Sequence, residues 1–277
     1  MPPDPVRVPL LRCISLGAGV QSTTMALMAA AGEISPMPDC AIFADTGWEP
    51  REVYAHLERL EKALPFPVYR VNNGNIRESI QKQAGTKEGR FASVPWWTMG
   101  PDGRRALGRR QCTKEFKLVP IARKQRELVG AKPRQRLPIG AVEVWIGISV
   151  DEASRMKPAW NRWQSNRWPL IDLNMSRADC LRWLASRGWS APKSACIGCP
   201  FHSDAELRRI RDTAPDEWAD AVAVDKMIRD GGSKRGMRRQ QFVHASLKPL
   251  DEVDLRTDEE RGQILLFNNE CEGMCGV

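Results

Sequence analysis

The stretch Ser15-Leu16-Gly17-Ala18-Gly19-Val20-Gln21-Ser22-Thr23-Thr24 constrains this chain more than any other. A strand-like run, Leu11 to Leu16, precedes it. Met25 to Ala31, mostly strong helix formers, follows, and Gly32 supplies a stop. The order is strand, glycine turn, helix. Gly17 and Gly19 let the backbone approach a ligand closely, and the helix N-terminus beyond them presents N–H groups carrying partial positive charge. Ser22, Thr23 and Thr24 add hydroxyls. Residues Ser15, Gly17, Ala18, Gly19, Val20, Gln21 and Ser22 are thereby the candidate phosphate binders. No lysine closes the loop as GxxxxGK[ST] requires, and Ser22 stands where GxGxxG needs a third glycine. Alone, the stretch reads as a phosphate loop or as the tight turn that any α/β fold needs.

The chain beyond it alternates. Asp39 to Ala44 predicts a second strand, ending in Asp45-Thr46-Gly47-Trp48-Glu49-Pro50. Val53, Leu57, Leu60 and Leu64 recur at helical spacing, Pro65 and Pro67 break the helix, and Val68 to Val71 reads as a third strand. Such alternation predicts a mainly parallel α/β sheet flanked by helices, with ligands at the C-terminal strand ends. Asn72 to Arg110 shows no period beyond a short helix near Ile76 to Gln83, and reads as a long active-site cover. A helix is predicted from about Thr113 to Val129 and a fourth strand over Val142 to Ile148. Asp151, Glu152 and Arg155 follow that strand's end and are candidates for phosphate or metal contact, and Gly147 near its end is a candidate nucleotide contact. Trp168 to Asp172 reads as an extended edge. Ser176 and Asp179 then form a capping-box-like helix start. Residues 1–175 are read as the nucleotide-binding domain and 176–277 as a helical and irregular region packed on it.

No apolar run approaches the roughly 20 residues of a membrane span, and Met1 to Arg7 lacks a signal-peptide core, so a cytoplasmic location is expected. The 277 residues carry a net charge of +8, with cations concentrated from Arg104 to Lys117, from Arg123 to Arg136 and from Lys234 to Arg239. That clustering suits a polyanion, either a nucleic acid or a nucleotide, or else a solvated helix face. Eight cysteines are not a disulfide framework in a cytosolic chain. Cys13, Cys40 and Cys180 fall in apolar runs and read as core, whereas Cys112, Cys196, Cys199, Cys271 and Cys275 sit among polar or glycine residues. The pair Cys196-Ile197-Gly198-Cys199 serves a redox dithiol, half a zinc site or half an iron–sulfur site.

Taken together, four patches in this order resemble the phosphoadenosine-phosphosulfate reductase family of the ATP-pyrophosphatase (PP-loop) superfamily of adenine-nucleotide α-hydrolases. Gly17 to Ser22 is similar to the family's Ser-Gly-Gly-x-Asp-Ser or Ser-Phe-Gly-x-Gln loop. Asp45-Thr46-Gly47 with Pro50 and Glu52 resembles Asp-Thr-Gly-x-x-x-Pro-Glu. Gln111-Cys112 with Cys196 and Cys199 resembles the Cys-Cys…Cys-x-x-Cys set of adenosine-phosphosulfate reductases, and Trp168 to Asp172 resembles Pro-Leu-Ile-Asp-Trp. The resemblance implies an adenine nucleotide, ATP or an adenylyl sulfate, with Asp45 and Thr46 bordering the adenosine or a magnesium ion. It also implies a [4Fe–4S] cluster on Cys112, Cys196 and Cys199. Gln111 replaces the first cysteine of the family pair, so either Cys275 supplies a fourth ligand or one iron stays open, as in some sulfur-inserting tRNA enzymes of the superfamily. Glu270-Cys271-Glu272-Gly273 is similar to the reductases' Glu-Cys-Gly tail, which makes Cys271 the candidate nucleophile or sulfur carrier.

Two activities compete on this sequence: ATP-dependent sulfur transfer through an adenylated intermediate, and sulfonucleotide reduction releasing sulfite. A nucleotide-binding regulatory module with a structural metal, iron–sulfur or zinc, is the third class. A sulfur- or electron-donor protein is the partner expected for either enzyme.

Overall fold

The computed structural model describes residues 8–85, 94–231, 239–256 and 260. Strand β1 (Leu11–Leu16) enters helix α1 (Val20–Ala30), then β2 (Cys40–Asp45), α2 (Arg51–Ala63), β3 (Val68–Asn72) and α3 (Ile76–Gly85). The chain later returns through α4 (Val119–Leu128) to β6 (Val142–Ile146) and β7 (Gln164–Arg167). These strands form one sheet in the order β3-β2-β1-β6-β7, and every neighbouring pair is parallel. The sequence thus folds as the expected α/β sheet. The order makes β1 central: the chain builds outward from it to β3, then crosses over and builds outward again through β6.

Central placement explains the composition of α1. The helix is apolar nearly all round, and its buried residues run from Val20 to Ala29 with only Gln21 excepted. Thr23 and Thr24 are buried with their hydroxyls spent inside the fold, on His56 at 2.9 Å and on the Val20 carbonyl at 2.9 Å. Of the three hydroxyls read as ligand donors, only Ser22 lines open space. Behind α1 packs α6 (Arg177–Ala185), whose Cys180 and Leu184 join the same core as Ile14, Met25 and Leu57. The capping box at its start is present, with Ser176 accepting from the Asp179 backbone and Asp179 accepting from that of Ser176.

Two local expectations fail for identifiable reasons. Trp168 to Asp172 is not an extended edge: Pro169 opens a short helical turn, α5 (Pro169–Asp172), where proline's fixed φ suits a first helical position. The edge strand is β7, just before it, whose polar residues carry no apolar alternation. The presumed cover between Asn72 and Arg110 holds a hairpin, β4 (Trp97–Met99) and β5 (Arg105–Leu107). β4 also pairs with β8 (Gln241–Phe242), and Trp96 is buried beside them. Strands of two and three residues are too short to show a period. That small sheet, α3, α7 (Asp204–Thr213) and α8 (Pro215–Gly231) enclose a second core built on Trp48, Trp96, Phe116 and Leu207. No helix among the described residues is long and apolar enough to cross a membrane.

His56 couples α2 to α1 through Thr23, with its ring edge-on to Trp189. Burial, reinforced by Arg59, lowers its pKa from the usual 6.5 to about 4, and burial lowers that of His202 to about 4 as well. The unfolded chain protonates these rings below 6.5, but the folded chain resists until about 4. Stability is therefore intact above the first value and lost as pH falls toward the second. Urea midpoints should decline across this window, and His56→Gln, which keeps a polar partner for Thr23, should flatten the decline. An unchanged slope in the variant would show that His56 takes no part in it.

Candidate functional site

Every strand of the large sheet ends on one edge, and the direction in which strands are added across the sheet reverses between β1 and β6. A crevice opens at such a switch point. Here it is a cleft of about 1060 Å³ including its open mouth. Its walls are Ser15 to Gly17 and Gly19 to Ser22 from the β1–α1 turn, Ile146 to Ile148 from the end of β6, and Pro192 to Ser194. Thr113, Lys117, Glu152, Arg155 and Arg177 are further polar members of the lining, and Phe43, Ala44, Leu118 and Ile121 give it an apolar side.

The turn itself is shaped by close contacts. Ala18, not a glycine, takes the left-handed conformation at φ 58°, and its methyl is fully buried. A non-glycine residue there carries strain of about 1–2 kcal/mol, of the kind found at ligand clamps. Gly19 is the cap of α1, and a β-carbon on it would lie 3.2 Å from the Ser194 side chain. A β-carbon on Gly147 would lie 2.8 Å from the Ser22 nitrogen, so only glycine lets the end of β6 pass the start of α1. No side chain caps α1 and no acid occupies its first turn, which leaves its positive end directed at the cleft.

Lys117, Arg155, Arg177 and Lys193 line the cleft against one acid, Glu152. Glu152 positions the wall: it accepts from Gln21 Nε2 at 3.1 Å and pairs with Arg155 at 2.6 Å. An uncapped helix start with four cations suits a polyphosphate group.

The expected residues divide as follows. Ser15, Gly17, Gly19, Val20, Gln21, Ser22, Gly147 and Arg155 line the cleft. Ala18 is buried beneath it, and Asp45, Thr46 and Asp151 are outside its lining. Asp45 accepts from the Gly47 backbone and from Tyr54, each at 2.8 Å, and Asp151 accepts from the Arg177 backbone. The sequence reading did not assign Lys117, Arg177 or Lys193 to the cleft. Lys117 was visible only within a basic run, and Lys193 only as a neighbour of the cysteine pair.

A second cavity, about 470 Å³ including its open mouth, adjoins the first, and Thr113 and Lys117 line both. It gathers Cys112, Cys196 and Cys199, distant in sequence, together with Thr46, Trp48 and Arg110. The cysteine loop is fastened to the β2–α2 turn. The Ile197 backbone donates to the Trp48 carbonyl at 2.9 Å, Thr46 Oγ1 lies 3.2 Å from Cys196 Sγ, and Cys196 Sγ reaches Glu49 at 3.7 Å. A β-carbon on Gly198 would fall 2.3 Å from the Trp48 ring. Thr46, Trp48 and Glu49 of the turn after β2 thus hold the cysteine loop. Glu49 is buried, accepts from Thr46, and stands 3.8 Å from Lys117 Nζ, while its Oε2 has no hydrogen-bond partner. A π-helical turn, Lys114–Leu118, feeds α4 and carries Lys117. Such turns insert one extra residue and are frequent at functional sites.

The other thiols are inert by environment. Burial, aided by Cys40, drives the Cys13 pKa far up; burial raises that of Cys40 to about 12 and that of Cys180 to about 11. Cys271 and Cys275 lie outside the described residues. Among the described residues, no three His, Cys, Asp or Glu side chains stand together at metal-ligating spacing.

No protein-family model and no curated protein matches the chain. Among solved structures, it is similar to phosphoadenylyl-sulfate reductase from Candida auris in its phosphate complex, at 14% identity and a TM-score of 0.43, over 67% of this chain and 76% of that one.

Gly19→Val should abolish nucleotide binding in calorimetry while circular dichroism stays native, because its side chain fills the gap between the loop and Ser194. Undiminished binding would remove the loop from the site. In peptide mapping after brief alkylation near neutral pH, Cys112 and Cys196 should be modified well ahead of Cys13, Cys40 and Cys180. Early modification of Cys13 would contradict its placement.

Proposed function

We propose that the chain is an adenine-nucleotide-dependent sulfur transferase, using the cleft for ATP and the adjoining cavity for sulfur. The observation carrying this reading is the shared wall: a polyphosphate-suited cleft and a three-cysteine cavity meet at Thr113 and Lys117. An acceptor oxygen attacks the α-phosphorus of ATP, pyrophosphate leaves, and the acceptor is adenylated. A persulfide sulfur then attacks the acceptor carbon, the carbon–oxygen bond breaks, and AMP departs with the oxygen. A donor protein supplies the persulfide sulfur, and a thiol reductant cleaves the remaining sulfur–sulfur bond. Lys117 and Arg155 neutralise phosphate charge, and Glu152 is the acid available to hold a magnesium ion with the phosphates.

Cys112, Cys196 and Cys199 are the donor types that a [4Fe–4S] cluster takes, and Arg110 and Lys117 in the same cavity suit its negative charge, but the three thiols as placed do not stand at ligating spacing. Bound there, the cluster would supply sulfur activation; zinc would draw on the same thiolates. The resemblance in sequence also favours a second reading, in which Cys271 attacks the sulfur of an adenylyl sulfate and sulfite is released.

Product analysis separates these readings. AMP and pyrophosphate from ATP support the transferase, and sulfite from adenylyl sulfate supports the reductase. Lys117→Ala should weaken nucleotide binding about 10- to 100-fold, the usual loss for one hydrogen bond to a charged group. If neither product forms, the enzyme reading falls and a binding module remains.

A further inference from the structure

We propose that the segment from Arg104 to Lys117 is the docking surface for a single-stranded RNA, the acceptor of the transferred sulfur. The proposal deepens the transferase reading and rests on it only for the acceptor role. These fourteen residues hold six cations, Arg104, Arg105, Arg109, Arg110, Lys114 and Lys117, against one acid, Glu115. A run of this kind is ordinarily a solvated face whose charges pair with neighbouring carboxylates. Elsewhere in this fold Arg51, Arg70, Arg77, Arg209, Arg229 and Arg256 each hold an acid. Arg104, Arg105, Arg110 and Lys114 have no carboxylate partner among the described residues.

Three of them, Arg105, Arg110 and Lys114, lie over aromatic rings. Arg105 lies 5.8 Å from the Trp97 ring centre, Arg110 lies 5.2 Å from that of Phe201, and Lys114 lies 5.6 Å from that of Trp160. Three aromatic rings from three separate parts of the chain thus come to one ten-residue stretch. Trp97 is held in place by its indole N–H on the Pro200 carbonyl at 3.0 Å. Trp160 is 47% exposed, unusual for so large an apolar ring. Cations alone would take any polyanion. Cations interleaved with ring faces suit a sugar–phosphate backbone with unpaired bases, because bases stack on rings and on guanidinium planes. Unpaired bases persist in RNA loops, the usual target of stacking recognition. The surface also lies beside the chemistry, since Arg110 lines the cysteine cavity and Thr113 and Lys117 line both cavities.

The test is fluorescence anisotropy on the full chain with a labelled unstructured RNA, its duplex, single-stranded DNA of the same sequence, and heparin as a base-free polyanion. The unpaired RNA should bind tightest, weakening as salt rises. Trp160→Ala should lower its affinity about 5- to 100-fold, the range for loss of one stacked base, and leave heparin binding unchanged. Arg104→Ala with Arg105→Ala should weaken both. Neither variant touches the nucleotide cleft, so ATP affinity should be retained. Duplex, DNA or heparin binding as tightly as the RNA overturns the proposal, as does an unaffected Trp160→Ala. If the RNA binds as expected but ATP is not turned over, the transferase reading fails and the docking surface stands. If ATP yields AMP and pyrophosphate without RNA binding, the docking surface fails alone.

Discussion

At the end of β6, the backbone of Gly147 passes so close to Ser22 that one methyl group would push the two apart. That contact sets the crevice between the halves of the sheet. α1 is locked from behind by its own burial, so it cannot retreat to make room. The glycine loop, the uncapped helix start and the four cations are all placed relative to this fixed point. A cleft of this type is a property of the crossover from β1 to β6 before it is a property of any one side chain.

The cysteine cavity has a different foundation. Its three thiols come from loops and irregular turns, which define position less well than strands do. What holds them is the seam to the β2–α2 turn: a backbone hydrogen bond to Trp48, the Thr46 and Glu49 contacts to Cys196, and a tryptophan ring laid on Gly198. Glu52 extends the seam by pairing with Arg209 of α7. The second core therefore fixes cavity geometry, while the sheet fixes cleft geometry. Lys117 belongs to both, with its ion pair to the buried Glu49 on one side and open space for phosphate on the other.

Much of this was legible in the residues themselves. β1, α2, β3 and the capping box of α6 carry strong local signals, such as apolar period, proline breaks and a Ser–Asp pair, and all appear where those signals fall. The glycine loop was legible as a turn at a strand end. What could not be read was which side of a residue faces which space. Thr23 and Thr24 carry suitable hydroxyls, but helical rotation turns them into the core. Asp45 and Thr46 have the right chemistry for a nucleotide, but their contacts lie within their own turn and with Cys196. Lys193 lines the cleft with no local pattern in the sequence to mark it. The hairpin strands were missed because three residues cannot display alternation.

The π-helical turn has a consequence for how such a chain can change over time. An α-helix advances about 100° per residue. The extra residue held between Lys114 and Leu118 therefore sets the angular phase between α4 and everything just before it, including Cys112 and Thr113. Deleting one residue there would relax the turn to an ordinary helix and swing Cys112 about a quarter-turn around the axis, away from Cys196 and Cys199. A substitution in this turn acts on one contact at a time, whereas a single codon lost would separate the two cavities' shared wall from one of them. Lineages carrying this fold should therefore keep the length of this turn.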